Sequence, residues 1–297
     1  MIDPADGRRA RWGTPLVWLA SLVGALSFLY PFVLPAIGRP EQLTGRGTEV
    51  SLLFALLAVV CLATIVLDVQ GRAAVSGPAA SKLVALLGVL VAVDAALRLI
   101  PSFLGASPIF LLIILVGYAY GADFGFLMGA LTLLVSAFVT GGLGPWLPFQ
   151  MLTAGWVGMT AGWLPRLRGR RELFVLALFG AVWGFLFGAI MNLWEWPFAA
   201  PGLQQPTGLY WVPGMSAIAT IHTYLRFYLI TSLVYDLFRA AGNAVLVVLL
   251  ARPVLVLLDR FRARFTWEPW VAEGDVSPDA PAGPAAAAAS DAATLGD

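Results

Sequence analysis

The chain has one cysteine, one histidine and few charges. Its lone cysteine, Cys61, lies in an apolar run, so no internal disulfide can form. One histidine and one cysteine also leave little for a soft metal site. Asp, Glu, Lys and Arg together make up 12% of the residues, about half the share usual in soluble domains. Net charge is +1, so nucleic acid is not an expected partner. Several chemical signatures are missing as well. No G-x-x-x-x-G-K-[ST] run is present, so no P-loop for ATP is expected in this chain. G-x-S-x-G and H-E-x-x-H are absent, and no pair of Asp-rich motifs suggests magnesium-diphosphate chemistry. Nor is there a duplicated half with interrupted helices, a mark of many secondary transporters. The opening residues, MIDPADGRRARWGTP, carry no small-residue cleavage site before a short apolar run, so no removable leader is expected.

What is present is apolar. Hydrophobic residues make up 60% of the chain, in recurring runs of about twenty residues that can each cross a bilayer. The expected fold is all-α, a polytopic membrane helical bundle. Its eight segments fall at roughly 15–37, 50–68, 82–100, 107–120, 123–141, 148–165, 173–192 and 216–251. Basic residues set the topology. Arg8, Arg9 and Arg11 precede the first segment, and Arg72 and Lys82 flank the loop after the second. Arg166, Arg168, Arg170 and Arg171 lie between the sixth and seventh, and Arg252, Arg260, Arg262 and Arg264 follow the eighth. All fall on one side if both termini are cytoplasmic; the opposite loops hold only Arg39 and Arg46, then almost none. Residues 215–258 are long enough for two spans, but two would send the Arg-rich end outside. One long helix reaching into the cytoplasm is therefore expected. The Pro-, Ala- and Asp-rich end reads as a disordered tail. The organisation is thus a cytoplasmic N-terminus (1–14), an appended two-helix unit (15–81), a six-helix core (82–258) and a cytoplasmic tail (259–297).

Small residues recur four apart, the spacing that lets helix backbones approach closely in lipid. Gly88, Ala92 and Ala96 line one face of the third segment. Gly121, Gly125 and Gly129 do so on the fifth, Ala154, Gly158 and Gly162 on the sixth, and Gly180, Gly184 and Gly188 on the seventh. Internal packing accounts for most such stripes; a partner subunit can take the rest.

Polar residues within the segments are the binding candidates. Asp94 and Arg98 are four apart and share a helical face, either as an interfacial ion pair or as part of a functional interior. Asn192, Trp194, Glu195 and Trp196 fall together in MNLWEWPF, where indoles can anchor the interface or enclose a partly aromatic ligand. The connection after them, with Gln204, Gln205, Tyr210 and Trp211, is long enough to act as a lid. His222 and Arg226 share a face at the start of the last segment, near Tyr224 and Tyr228. Gln150 follows the outer turn GLGPWLP, with Pro148 in the first helical turn, and is either an ordinary helix-start residue or the rim of a cavity. All these groups converge on the outer end under this topology. Asp236 and Arg239, three apart, are assigned instead to stabilising the inner half or contacting a partner.

The core resembles the substrate-binding S component of an energy-coupling factor (ECF) transporter, of the actinobacterial type. The likeness rests on the Gly88/Ala92/Ala96 stripe, the loop RLIPSFLGASPIF, GYAYGADFGFLMGALTLLVSAFVTGGLGPWLPFQML and GAIMNLWEWPF, about 60% of the chain. The resemblance implies a vitamin importer subunit, not an enzyme, with no cofactor of its own. Its partners would be a transmembrane coupling subunit and two ATPase subunits that hydrolyse ATP. Gly88, Ala92 and Ala96 would face the coupling subunit, and the loop at about 99–108 would help gate the ligand cavity. The aromatic outer end favours a bulky vitamin, cobalamin or a related corrinoid first, with riboflavin or another vitamin as the alternative. A membrane-embedded enzyme on a lipid or prenyl substrate and a proton-coupled secondary transporter are the competing classes.

Overall fold

The computed structural model describes residues 14–37, 56, 60, 78–198, 208–212 and 214–264. The expected segment at 50–68, apart from Leu56 and Val60, lies outside them, as do Cys61, Gln204, Gln205 and the tail from residue 265. The described residues form eight α-helices and a 3-10 turn: α1 (Pro15–Ile37), α2 (Pro78–Leu97), α3 (Ile109–Tyr120), α4 (Ala122–Thr140), α5 (Leu147–Ala161), α6 (Arg170–Glu195), the turn Trp196–Phe198, α7 (Ala217–Thr231) and α8 (Leu233–Arg264). Among them, α4, α6 and most of α8 are long and apolar enough to cross a membrane.

The eight helices among the described residues do not match the eight expected segments one for one. The last segment is two helices, interrupted at Ser232, which corrects the single helix expected from the charge bias. Ser232 has φ −121° and ψ −27°. Its N–H donates to the Tyr228 carbonyl, and its own carbonyl accepts from the Asp236 N–H. Helical hydrogen-bond spacing therefore continues on both sides of a one-residue break.

Helix α3 is the centre of the bundle. Its sequence, IFLLIILVGYAY, is apolar all round, and a helix of that kind is buried on every side. Residues 109–119 are all buried accordingly. Gly121, at φ 100° in the left-handed half of backbone space, ends α3 and starts α4 in one residue, a conformation glycine adopts without a Cβ clash. Twelve residues span roughly 18 Å, well short of the roughly 30 Å hydrocarbon thickness. That shortfall matters at the N-terminal end of α3.

Glycine seams close the bundle. A Cβ on Gly158 of α5 would lie 2.0 Å from the Gly125 carbonyl oxygen of α4, and one on Gly129 would lie 2.1 Å from that of Ala154. On the other flank, Gly180, Gly184 and Gly188 of α6 receive Asn243, Ala240 and Asp236 of α8. The missing side chains leave room for α8's polar groups to reach α6's backbone: Asn243 Nδ2 donates to Gly180 O (3.0 Å) and Arg239 Nη1 to Gly184 O (3.2 Å). Helix α1 lies against α5 through Val17, Ala20, Gly24 and Phe28, with Phe28 edge-on to Phe149 at 4.7 Å. Its start is fixed by the Thr14 N–H donating to Asp123 Oδ1 (2.6 Å).

The arginine-rich end is stitched at the C-terminus of α3, where helix carbonyls lack intrahelical donors. Arg166 Nη2 (2.6 Å) and Arg262 Nη1 (3.2 Å) both donate to Ala119 O. Two cations at a helix C-terminus also complement its dipole. Burial, and after it the neighbouring Arg262, holds the Arg166 guanidinium below its usual value. It remains ionised all the same.

Candidate functional site

The end of the bundle opposite Arg166 holds a polar cavity of about 360 Å³. The first two residues of α3, Ile109 and Phe110, form part of its wall. It thus occupies the depth that the short central helix leaves unfilled. Leu133 and Thr140 of α4, Gln150 of α5, Phe187 of α6 and Arg239 of α8 line it, with Arg98 and the loop residues Ile100, Pro101, Ser102, Gly105 and Ser107. Five helices and one loop converge there.

The loop turns tightly over this space. Leu104 (φ 45°) and Gly105 (φ 88°) both take positive φ, and Ala106 N–H donates to Phe103 O (2.9 Å). A Cβ on Gly105 would lie 3.0 Å from Tyr235 O and 3.2 Å from Arg239 Nη2, so glycine serves both the turn and the close approach. Phe103 meets Phe238 edge to face at 5.4 Å, a second hold on α8.

Of the two readings of Asp94 and Arg98, the ion pair does not form. Helix α2 ends at Leu97, and Arg98 already sits in a turn, its N–H bonded to Ala95 O. Helical spacing no longer governs where its side chain goes. Both residues instead reach hydroxyls on α4. Arg98 Nη1 donates to Ser136 Oγ (2.8 Å), and Asp94 Oδ2 accepts from Thr132 Oγ1 (3.0 Å). Asp94 is fully buried, and its Oδ1 has no partner among the described residues.

Gln150 stands on the cavity wall with its Oε1 buried and unpartnered among the described residues. The MNLWEWPF group and the α7 pair are not among the residues lining the cavity. Asn192 Nδ2 donates to Ser232 Oγ (2.7 Å), fastening α6 to the break between α7 and α8. Trp194 stacks near Phe149 at 5.9 Å. Trp196, only 1% exposed, donates from Nε1 to Leu209 O (2.9 Å) and packs on Phe32, Tyr224 and Phe227. It is a packing anchor. Glu195, His222 and Arg226 are exposed.

Asp236 and Arg239 are not in the half opposite the cavity, where the sequence placed them. They pair with each other. Asp236 lies against Gly188. Arg239 reaches the cavity wall, with its guanidinium 5.5 Å from the Phe187 ring centre. Ser102 and Ser107 belong to the loop that the resemblance placed over the cavity, whereas Arg239 and Thr140 were not expected as lining residues. No sequence signal marks Arg239: its place about two turns into α8, on the cavity wall, depends on the break at Ser232. Gly88, Ala92 and Ala96 are all exposed, and nothing lies within 4 Å of a Cβ built on Gly88.

Among the described residues no cluster of three His, Cys, Asp or Glu side chains can hold a metal ion. The arrangement suits binding: an open polar pocket at one end of an apolar bundle, with arginine and glutamine side chains on its wall. No curated protein and no solved structure matches the chain. The family model for the substrate-specific component of ECF transporters matches residues 82–251, more than half of the 297. Such components are membrane proteins that work with the ECF coupling and ATPase subunits. The chain therefore belongs to the ECF transporter substrate-specific component family, and is a substrate-binding subunit of an importer, not an enzyme.

Proposed function

We propose that this chain captures a vitamin or related micronutrient in the cavity beneath the 98–108 loop and delivers it inward. The coupling subunit and two ATPase subunits would drive delivery, with ATP bound and hydrolysed on those partners. One observation carries the reading. Arg98, Gln150 and Arg239, from three different elements, meet in one pocket where the central helix stops short. Polar groups at membrane depth are costly and concentrate where a bundle does its work.

Both termini cytoplasmic would place this cavity at the outer surface of the plasma membrane, ready to load from outside. The binding unit would be the 82–258 core, with the residues at 15–81 appended to it. The exposed small residues Gly88, Ala92 and Ala96 offer a flat face on which the coupling subunit can dock. A corrinoid, the first expectation from the aromatic outer segments, is larger than a cavity of about 360 Å³. Two of the aromatics that suggested it, Trp194 and Trp196, are engaged in packing. A compact vitamin fits the space better.

Proteoliposomes test the proposal. The chain alone should bind its cargo without accumulating it, and adding the coupling and ATPase subunits should give ATP-dependent uptake. Accumulation by the chain alone, collapsed by an uncoupler, would point to a secondary transporter instead.

A further inference from the structure

The cavity's charge is unbalanced. Two guanidinium groups line it, and none of its lining residues is a carboxylate. Guanidinium stays ionised in proteins, and a half-buried cation gains from a counter-charge or good acceptors. Arg239 has both. It pairs with Asp236 and also donates to Gly184 O. Arg98 has one neutral acceptor among the described residues, Ser136 Oγ at 2.8 Å. The Ser136 hydroxyl spends its own proton on Leu133 O (3.1 Å), so it can only accept from Arg98. The nearest carboxylate along the chain, Asp94, is turned to Thr132 on α4 and does not line the cavity.

Two further features add to this. The N-terminal end of α3 is at the cavity through Ile109 and Phe110, so the positive end of its dipole has the same sign as the arginines. The Gln150 carboxamide, with one buried polar atom unpartnered, is a second polar contact waiting for a ligand. Oxygen and nitrogen of an amide can exchange places by a flip, so this group takes either a donor or an acceptor.

On the import reading, on which this rests, we infer that the cargo is a compact organic acid. Its carboxylate sits on Arg98, facing Arg239 across the cavity, and a polar group of the same molecule reaches Gln150. The surplus of one positive charge over Asp236 matches a monoanion better than a phosphate ester, whose charge approaches −2. A guanidinium fork also suits the planar carboxylate. The volume, about 360 Å³, is at the small end of ligand sites, which run from about 300 to 1,000 Å³.

Equilibrium binding to the full chain in lipid nanodiscs tests this with matched acid and neutral probes. The pairs are pantothenate and pantothenol, nicotinate and nicotinamide, and biotin and its primary amide. Riboflavin, thiamine and pyridoxal phosphate serve as neutral, cationic and dianionic comparators. One acid should bind, with its neutral counterpart weaker by at least about tenfold, the range of a lost charge-assisted hydrogen bond. Arg98→Gln should remove most of that preference, and Arg98→Lys should keep part of it. The acid-to-neutral ratio on the unaltered chain stands even if Arg98→Gln fails to fold. Tightest binding by riboflavin or thiamine, or an acid and its amide bound equally, would overturn the inference and leave the import reading intact. Tightest binding by pyridoxal phosphate would replace the monoanion by a phosphate. Binding of none of the acids would overturn the inference, while the proteoliposome uptake assay decides the import reading separately.

Discussion

Gly158→Ala should be one of the most damaging single-methyl changes in this protein. The added Cβ would lie 2.0 Å from the Gly125 carbonyl oxygen, 2.4 Å from its carbon and 2.9 Å from its Cα. An ordinary carbon–oxygen contact is about 3.3 Å, so α4 and α5 must part by roughly 1.3 Å at this crossing. The contact is backbone to backbone, so no rotamer change can relieve it. The seam cannot open at one point only, because a Cβ on Gly129 would lie 2.1 Å from Ala154 O one turn along, and one on Gly117 of α3 would lie 2.1 Å from Gly158 O. A gap of 0.5–1 Å already forfeits about a quarter to a half of each dispersion contact along it. Overpacking typically costs about 1–3 kcal/mol, and this site belongs at the top of that range. At roughly 2–4 °C per kcal/mol, the unfolding midpoint should fall by on the order of 6–12 °C. Tryptophan fluorescence during a thermal ramp in mild detergent reads this directly. Gly88→Ala is the control. It adds the same methyl to an exposed helix position with nothing within 4 Å, and should be neutral or slightly stabilising. Equal midpoints for the two variants would refute the close-packed seam.

Other consequences are equally checkable. Trp196→Ala should destabilise by about 3–5 kcal/mol, read in the same thermal assay, because it empties a site packed by Tyr224, Phe227 and Phe32. Asn192→Ala should cost about 1 kcal/mol of stability, through the lost bond to Ser232, while leaving cargo affinity unchanged; a large affinity loss would put Asn192 in the site. Ala92→Leu or Ala96→Leu should block copurification with the coupling subunit and spare cargo affinity, since both positions are exposed and away from the cavity. Gly105→Ala should speed cargo release in a tracer-dissociation assay, because the turn over the cavity needs φ 88° and has no room for a Cβ.

The helical bundle was legible because each buried run is bounded by Gly, Pro or charge. Pro148 starts α5, Gly169 precedes α6, and Gly141 in the left-handed conformation ends α4. The glycine stripes of the later segments were legible as packing surfaces for the same reason: a missing Cβ has few other uses in a membrane helix. Side-chain partners were not. The Asp94–Arg98 pairing assumed that α2 continued to residue 98, but it ends at Leu97, and hydroxyls on α4 compete for both groups. Arg239 was assigned to the wrong end because an unbroken helix from residue 216 pushes it a further four turns from the outer surface. The break at Ser232 cannot be read from a run with no Gly or Pro at that point. The Gly/Pro turn before Gln150 left two readings open, a helix-start residue or a cavity rim, and its side chain lines the cavity. The depth of the cavity follows from the twelve residues of α3, a length visible in the sequence but meaningful only once that helix is known to be central.

The central claim is that a small molecule occupies the pocket between Arg98, Gln150 and Arg239. Native mass spectrometry of the chain, purified in mild detergent from its own host, tests it most directly when paired with Gln150→Leu. That substitution preserves bulk, keeps the α5 helix and removes the amide. The unaltered chain should carry one adduct of compact-vitamin mass, and the variant should carry far less at the same thermal stability. An adduct of corrinoid mass, a copurified lipid, or an adduct retained equally by the stable variant would contradict the placement of cargo in this cavity.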